Sequence, residues 1–262
     1  MTRPIMRILN LAGYKFIPLN DTVSLQKSLL DQCRSFSIKG TILLSEEGIN
    51  INISGDEKQI QSFVIFLKSD LRFNDMRFHE SYSNHQPFKT LKIKIKKEII
   101  TLKQPTVNPL QKRAPAISPK ELKRWLDEKK DFTLLDTRND YEVRFGTFEN
   151  AINPEINDFG ELPSSLSTIN CDKPVVMFCT GGIRCEKAAL YMLNHGFTDV
   201  HQLDGGILGY FRETQGSHYQ GECFVFDTRV SVDNKLEETG TLQCKKCQGP
   251  IKLMDSNCKC EG

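Results

Sequence analysis

The sequence lacks any apolar run long enough to span a membrane. Its N-terminal stretch, MTRPIMRILNLAGYKF, lacks the apolar core of a secretory signal. A cytoplasmic protein with no membrane contact is therefore expected. Charge of one sign is also scarce: the net charge is +2, too small for bulk attraction to nucleic acid. Any such binding needs a local patch. There is no Gly-x-Gly-x-x-Gly fingerprint and no His/carboxylate spacing typical of non-haem iron, so the residues identify no cofactor. What is present is cysteine, nine in 262 residues. In a cytoplasmic chain that argues for thiol chemistry or metal binding, not a disulfide framework. Length suits about two domains, and 39% hydrophobic with 26% charged residues suits soluble globular ones.

Cys179 has the most informative surroundings. Pro174 to Phe178 reads as a buried strand, and Glu186 to His195 as a helix stopped by Gly196. Thr180-Gly181-Gly182-Ile183-Arg184 joins them. Gly181 and Gly182 let the loop curl so that backbone N–H groups point at the sulfur. A helix N-terminus and Arg184 add positive potential, and all three effects favour the thiolate. The plain alternative is an inert buried cysteine; the coincidence of strand, glycine loop, arginine and helix favours a nucleophilic or sulfur-carrying one. Cys185, at the helix start, either resolves an oxidised Cys179 through a disulfide or packs on the sheet as a small helix residue.

The first hundred residues read as strand Arg7 to Pro18, helix Ser24 to Phe36, a hairpin of Gly40 to Leu44 with Ile49 to Ile53, and helix Glu57 to Leu71. A last strand is either Met76 to Ser81 or Leu91 to Ile100. The order βαββαβ is that of a ferredoxin-like sandwich. Lys92, Lys94 and Lys96 alternate with Leu91, Ile93 and Ile95, which places three ammonium groups on one face: RNA or phosphate contact, or a solvated face. Lys103 to Pro119 holds four prolines and no apolar period, so it reads as a linker. Ser118, Pro119 and Glu121 form a helix-start pattern. Strands at Phe132 to Leu135, Pro174 to Phe178 and Val200 to Leu203, with helical patterns between, indicate an α/β domain with a parallel sheet. Reactive groups gather at the carboxyl ends of such strands, where both Cys179 and Asp204-Gly205-Gly206 fall. The expected division is 1–102, a linker at 103–117, the α/β domain at 118–215 and an extension at 216–262.

That extension ends in Cys244, Cys247, Cys258 and Cys260. Cys244-x2-Cys247 is a zinc half-site, while Cys258-x-Cys260 is tighter than most structural sites. A structural zinc and a frayed tail of reduced thiols both remain open. Cys33 and Cys171 read as core or loop residues, and Cys223 as a neighbour of the Cys179 site.

LLDTRNDYEVRFGTFENAINP, CTGGIRC and LDGGI resemble the rhodanese homology domain. The resemblance implies structural bonding under the sheet for Asp136, Arg138 and Glu142, and a persulfide-carrying role for Cys179. Related phosphatases use a Cys-x5-Arg loop; here Arg184 arrives one place early, which disfavours phosphatase activity. KGTILLSEEGININI at 39–53, CTGGIRCEKA at 179–188, QLDGGIL at 202–208 and GECFVFDTRV at 221–230 together resemble one bacterial family, the tRNA uridine(34) hydroxylases. These are rhodanese-domain proteins with an added ferredoxin-like, acylphosphatase-like N-terminal domain. The resemblance implies oxygen-dependent 5-hydroxylation of uridine 34, the tRNA wobble base, with molecular oxygen as co-substrate, tRNA as partner and no obligate protein partner. Thr147 stands where many rhodaneses have His. The loop carries one cation, Arg184, where thiosulfate-using members often carry two, which lowers the expectation of thiosulfate turnover. Persulfide sulfur transfer is the alternative activity, and a non-enzymatic protein-binding module is disfavoured by the intact Cys179.

Overall fold

A computed structural model describes residues 7–253 together with Asp255, Cys258 and Cys260. The first six residues of the expected 1–102 domain, and positions 254, 256, 257, 259, 261 and 262 of the expected extension, lie outside the described residues. The chain forms two compact units, 1–101 and 102–262.

The first unit runs β1 (Ile8–Phe16), α1 (Thr22–Ser35), β2 (Lys39–Ser45), β3 (Gly48–Asp56), α2 (Glu57–Ser69), β4 (His79–Ser83) and β5 (Leu91–Ile95). Its sheet has the order β4-β1-β3-β2-β5. The first four strands pair antiparallel, and β5 adds parallel to β2. The two candidates for a final strand are thus both strands: one closes the ferredoxin-like order at one edge, the other extends it at the opposite edge. Periodicity dictates the helices' buried faces. Leu25, Leu29 and Cys33 repeat every fourth residue on α1, and Ile60, Phe63 and Leu67 line α2. They meet Ile49, Ile51 and Ile53 of β3 in one core. Asp56 caps α2 by accepting a bond from the Lys58 N–H at 3.0 Å.

The second unit begins with β6 (Ala116–Ile117), α3 (Pro119–Asp127), β7 (Thr133–Asp136), α4 (Asp140–Val143), β8 (Gly146–Phe148) and α5 (Leu162–Ser165). It continues with β9 (Val175–Phe178), α6 (Ile183–Asn194), β10 (Val200–Leu203) and α7 (Gly206–Thr214). The sheet order β6-β10-β9-β7 is parallel throughout. Ser118 caps α3, accepting from the Glu121 N–H at 3.2 Å. The proline-rich stretch read as a linker belongs to this unit: Val107 and Ala114 are buried, and Ile117 pairs with Leu203. Prolines interrupt the apolar period, yet Val107, Pro109, Ala114 and Ile117 are buried within an otherwise mostly exposed stretch. β9 lies between β10 and β7 and is buried at every position, so its carboxyl end is a fixed platform.

The extension supplies β11 (Tyr219–Gly221), which pairs with β8, and two small ribbons. These are β12 (Cys223–Phe224) with β13 (Ser231–Val232), and β14 (Leu242–Gln243) with β15 (Pro250–Ile251). Among the described residues no helix is long and apolar enough to cross a membrane.

Candidate active site and cysteine cluster

Cys179 follows β9 directly and is 1% exposed. The helix after it begins at Ile183, three residues earlier than Glu186, so Arg184 and Cys185 sit in its first turn. Gly182 makes the early start feasible: its φ of +99° turns the chain from strand into helix, a conformation that other residues rarely adopt. The Gly182 N–H donates to Cys179 Sγ at 3.1 Å. The Arg184 N–H also donates to it. Of the two loop glycines, Gly182 aims its amide at the sulfur, and Gly181 is the more exposed bend.

A second loop braces the first. The N–H groups of Ile207 and Leu208 donate to the carbonyls of Cys179 and Thr180 at 2.9 and 3.1 Å. Gly206 lies so close that a Cβ there would stand 2.4 Å from the Cys179 carbonyl oxygen. The Asp204-Gly205-Gly206 loop therefore does lie beside Cys179, as strand-end reasoning suggested.

Arg184 does not project freely at the sulfur. It forks onto Glu142 of α4, with Nη1 to Oε1 at 2.6 Å and Nη2 to Oε2 at 2.7 Å. Both side chains are buried. Arg138 makes a separate buried pair with Asp136 at the end of β7, and Thr147 Oγ1 donates to the same carboxylate at 2.8 Å. The implied Asp136/Arg138/Glu142 unit is thus split: two members pair with each other, and the third holds Arg184 of the Cys179 loop.

Cys185 is fully buried and hydrogen-bonded to Cys179; its sulfur also lies 3.6 Å from Thr137 Oγ1. Burial pushes the Cys185 thiol well up, so it keeps its proton and donates. At Cys179 burial also opposes charge. The Cys185 thiol, the Arg184 charge and the two backbone N–H donors outweigh it and hold the thiol at about 6. The lowering favours the thiolate at neutral pH, the form that attacks electrophiles. Cys223 is buried in the same unit, its thiol pushed up to about 12 by burial, and stays protonated. Cys33 is core and Cys171 exposed.

The tail cysteines form a second centre. The sulfurs of Cys244, Cys247, Cys258 and Cys260 lie within 4.8 Å of one another. Cys244 and Cys260 are 3.8 Å apart, Cys247 and Cys258 3.4 Å. Four sulfurs around a tetrahedral zinc at about 2.3 Å stand about 3.8 Å apart. The turn between β14 and β15 carries the first pair: Gln248 N donates to the Cys244 carbonyl at 2.9 Å and Lys246 N to Cys244 Sγ at 3.4 Å. The donor set and spacing fit a thiophilic tetrahedral cation.

Residues 8–99 match the model of the UPF0176 acylphosphatase-like domain, and 118–213 that of the rhodanese-like domain. A tRNA uridine(34) hydroxylase of Cupriavidus taiwanensis is 46% identical over 254 residues, 94% of this chain and 90% of the relative. This chain belongs to the tRNA uridine(34) hydroxylase family. A second relative of that name, from Xanthomonas axonopodis pv. citri, is 47% identical over 87% of this chain and 95% of its own length. Among solved structures, a rhodanese-related protein from Thermoplasma volcanium matches 38% of this chain and 94% of its own, at 27% identity and a TM-score of 0.34.

In this family member the lysine stripe takes a definite form. Lys92 and Lys94 are exposed on edge strand β5, in register with Thr41 and Leu43 of β2 and, one strand further, with Asn52 and Asn50. Lys96 follows just past the strand, its N–H bonded to the Leu44 carbonyl at 2.8 Å. Lysines on an edge strand also prevent edge-to-edge pairing. Sequence reading missed the Glu142 fork and Arg144, which touches the cysteine cluster. Glu142 and Arg184 are 42 positions apart and share no periodic signal.

Proposed function

We propose that this chain hydroxylates C5 of uridine 34 in tRNA, with Cys179 as the reacting group. One observation carries the reading: a buried sulfur that accepts the Gly182 N–H at 3.1 Å at a braced strand end, in a chain 46% identical to a named tRNA uridine(34) hydroxylase. The thiolate adds to C6 of the uracil ring. A C–S bond forms, and the C5–C6 π pair moves to C5, where the C4 carbonyl delocalises it. C5 becomes the nucleophilic carbon that forms the new C–O bond with one atom of dioxygen, the expected co-substrate; the O–O bond breaks, the second atom leaves as water, and an external two-electron reductant supplies the two electrons and two protons this requires. Loss of the C5 proton and departure of the sulfur restore the ring. The Gly182 and Arg184 N–H groups and the Arg184 charge stabilise the sulfur anion before attack and again as it leaves.

Nucleoside mass spectrometry of tRNA from a deletion strain complemented with Cys179→Ser tests this. Loss of 5-hydroxyuridine is expected, and full retention would refute the role. Persulfide transfer is the rival chemistry for the same sulfur. Arg184 has both terminal nitrogens bonded to Glu142 and the loop carries no second cation, so anionic thiosulfate finds no free guanidinium donor, and weak thiosulfate:cyanide turnover is expected in parallel assays.

Lys92, Lys94 and Lys96 are assigned to the tRNA backbone. Replacing all three with Glu should lower the slope of log affinity against log salt by about 2–3, since each phosphate contact releases counterions; an unchanged slope would remove them from the interface. Zinc is assigned to Cys244, Cys247, Cys258 and Cys260, with one zinc per chain expected on metal analysis of purified protein.

A further inference from the structure

α4 lies between the two sulfur centres and reaches both. Glu142, inside the helix, holds Arg184 of the catalytic loop with two short bonds. Arg144, its C-terminal cap, reaches the other way. Its Nη1 donates to the Cys247 carbonyl at 3.2 Å and its Nη2 to Cys247 Sγ at 3.1 Å. Gly249 makes room for this approach: a Cβ there would stand 2.1 Å from Arg144 Nη2.

We propose that the metal-bound cysteine cluster acts as a clamp on the catalytic loop. Bound cation fixes Cys247, Cys247 fixes Arg144, and α4 then holds Glu142 against Arg184 beside Cys179. Arg144 is a positioning residue, with no contact to the reacting sulfur. The inference rests on the zinc assignment above and extends it from local stability to the reactive site.

Three physical points support it. A helix of four residues cannot hold its own position, because helix nucleation alone is unfavourable; its bonds to neighbours place it. Asp140 N to the Ile156 carbonyl and the Tyr141 ring against Phe224 fix the start of α4; the Phe145 ring against Phe224, the Glu222 N–H to the Phe145 carbonyl and Arg144 share its end. Second, holding a long arginine on a sulfur that no cation anchors costs more rotamer freedom than an exposed bond returns. A thiolate anchored by a cation is a charged, stationary acceptor, and a guanidinium donating to it makes a charge-assisted bond. Third, groups that bond to metal ligands from outside orient those ligands, so Arg144 and a metal-bound Cys247 hold each other in place.

The test uses full-length protein purified with saturating zinc. Zinc content is measured alongside the pH profile of Cys179 alkylation by iodoacetamide, followed on the Cys179 peptide by mass spectrometry. The parent should show one zinc per chain and a Cys179 midpoint at about 6. Arg144→Ala should retain the zinc yet raise that midpoint, slowing alkylation at pH 6 by about threefold, because Arg184 leaves its place beside the sulfur. Loss of zinc by Cys244→Ser should raise it similarly. Adding Arg144→Ala to Cys244→Ser should then change nothing further. If Arg144→Ala fails to fold, Gly249→Ala displaces the guanidinium from the other side and is read the same way. A parent without metal overturns the zinc assignment. A parent and Arg144→Ala variant that both hold zinc, with the midpoint unmoved or lowered, overturn the clamp alone.

Discussion

The two sulfur centres of the second unit reach a similar acidity by opposite means. Cys179 is buried, and burial works against its charge; a neighbouring thiol, a cation and two N–H groups overcome that cost. Cys247 is partly exposed, and the Gly249 N–H, then Arg144, hold it at about 6 with little burial to overcome. The partners differ in kind. Cys179 is hydrogen-bonded to one protonated thiol, Cys185, at the rigid end of a sheet. Cys247 has three sulfurs around it on a ribbon of two short strands. A single sulfur held towards the anion with a donor beside it suits the nucleophile proposed above. Four converging sulfurs are arranged to share a cation, which quenches their reactivity. Thiol acidity therefore does not distinguish a nucleophile from a ligand; the number and protonation of the neighbouring sulfurs do.

Breaking the Glu142–Arg184 pair should separate the centres most sharply. Glu142→Gln leaves the Arg184 charge buried without its carboxylate. Loss of one partner from such a pair costs about 3–5 kcal/mol. Urea unfolding should show a fall of that size, and tRNA hydroxylation should drop at least tenfold. Zinc content should survive, because Glu142 touches no tail cysteine. A variant with parental stability would mean that the pair is dispensable to the fold.

Removing the neighbouring thiol is the next test. Cys185→Ala deletes the S–H donor to Cys179, and the Cys179 midpoint should rise from about 6 towards the ordinary 9.0. The sign follows from the direction of the shift. A lowered thiol is anionic above its folded value and loses that anion as pH falls through it. Parental alkylation should therefore fall about tenfold per pH unit below 6, and the variant's decline should begin about one unit higher. An unmoved midpoint would leave Arg184 and the amides as the whole cause. The comparison also bears on a resolving role for Cys185: a raised, buried thiol is a better proton donor than an attacking group.

The sequence exposed what depends on local order. Cys179, the glycine turn, the alternating isoleucines of β3 and the Ser118 cap all follow from neighbours within a few positions, and spacing reveals such features. Three further features depend on contacts far along the chain. The helix after Cys179 begins at Ile183 because Gly182 takes a positive φ, packed under Gly206 of another loop. β4 and β5 are both strands because β1 and β2 each offered a free edge, and pattern alone could not show two vacancies. Arg144 meets Cys247 across 103 positions, with no periodicity to announce it. The cysteine cluster was legible as a count and a spacing, but its connection to α4 was not.

The finest difference between the centres lies in one proton. Cys185 has a single S–H and two neighbours able to accept it, Cys179 and Thr137. Thr137 Oγ1 donates to the Phe178 carbonyl at 3.0 Å, and a carbonyl can only accept, so the hydroxyl proton is committed there. What Thr137 then offers Cys185, 3.6 Å away, is a lone pair that competes with the Cys179 sulfur for the S–H. Thr137→Val keeps the shape and removes the competitor. The S–H should then go wholly to Cys179, lowering its alkylation midpoint by a few tenths of a pH unit, roughly a twofold gain in rate at pH 5.5. A raised midpoint would mean that the Thr137 hydroxyl gives its proton to Cys185 instead, which would place the start of the donor chain one residue further from the reacting sulfur.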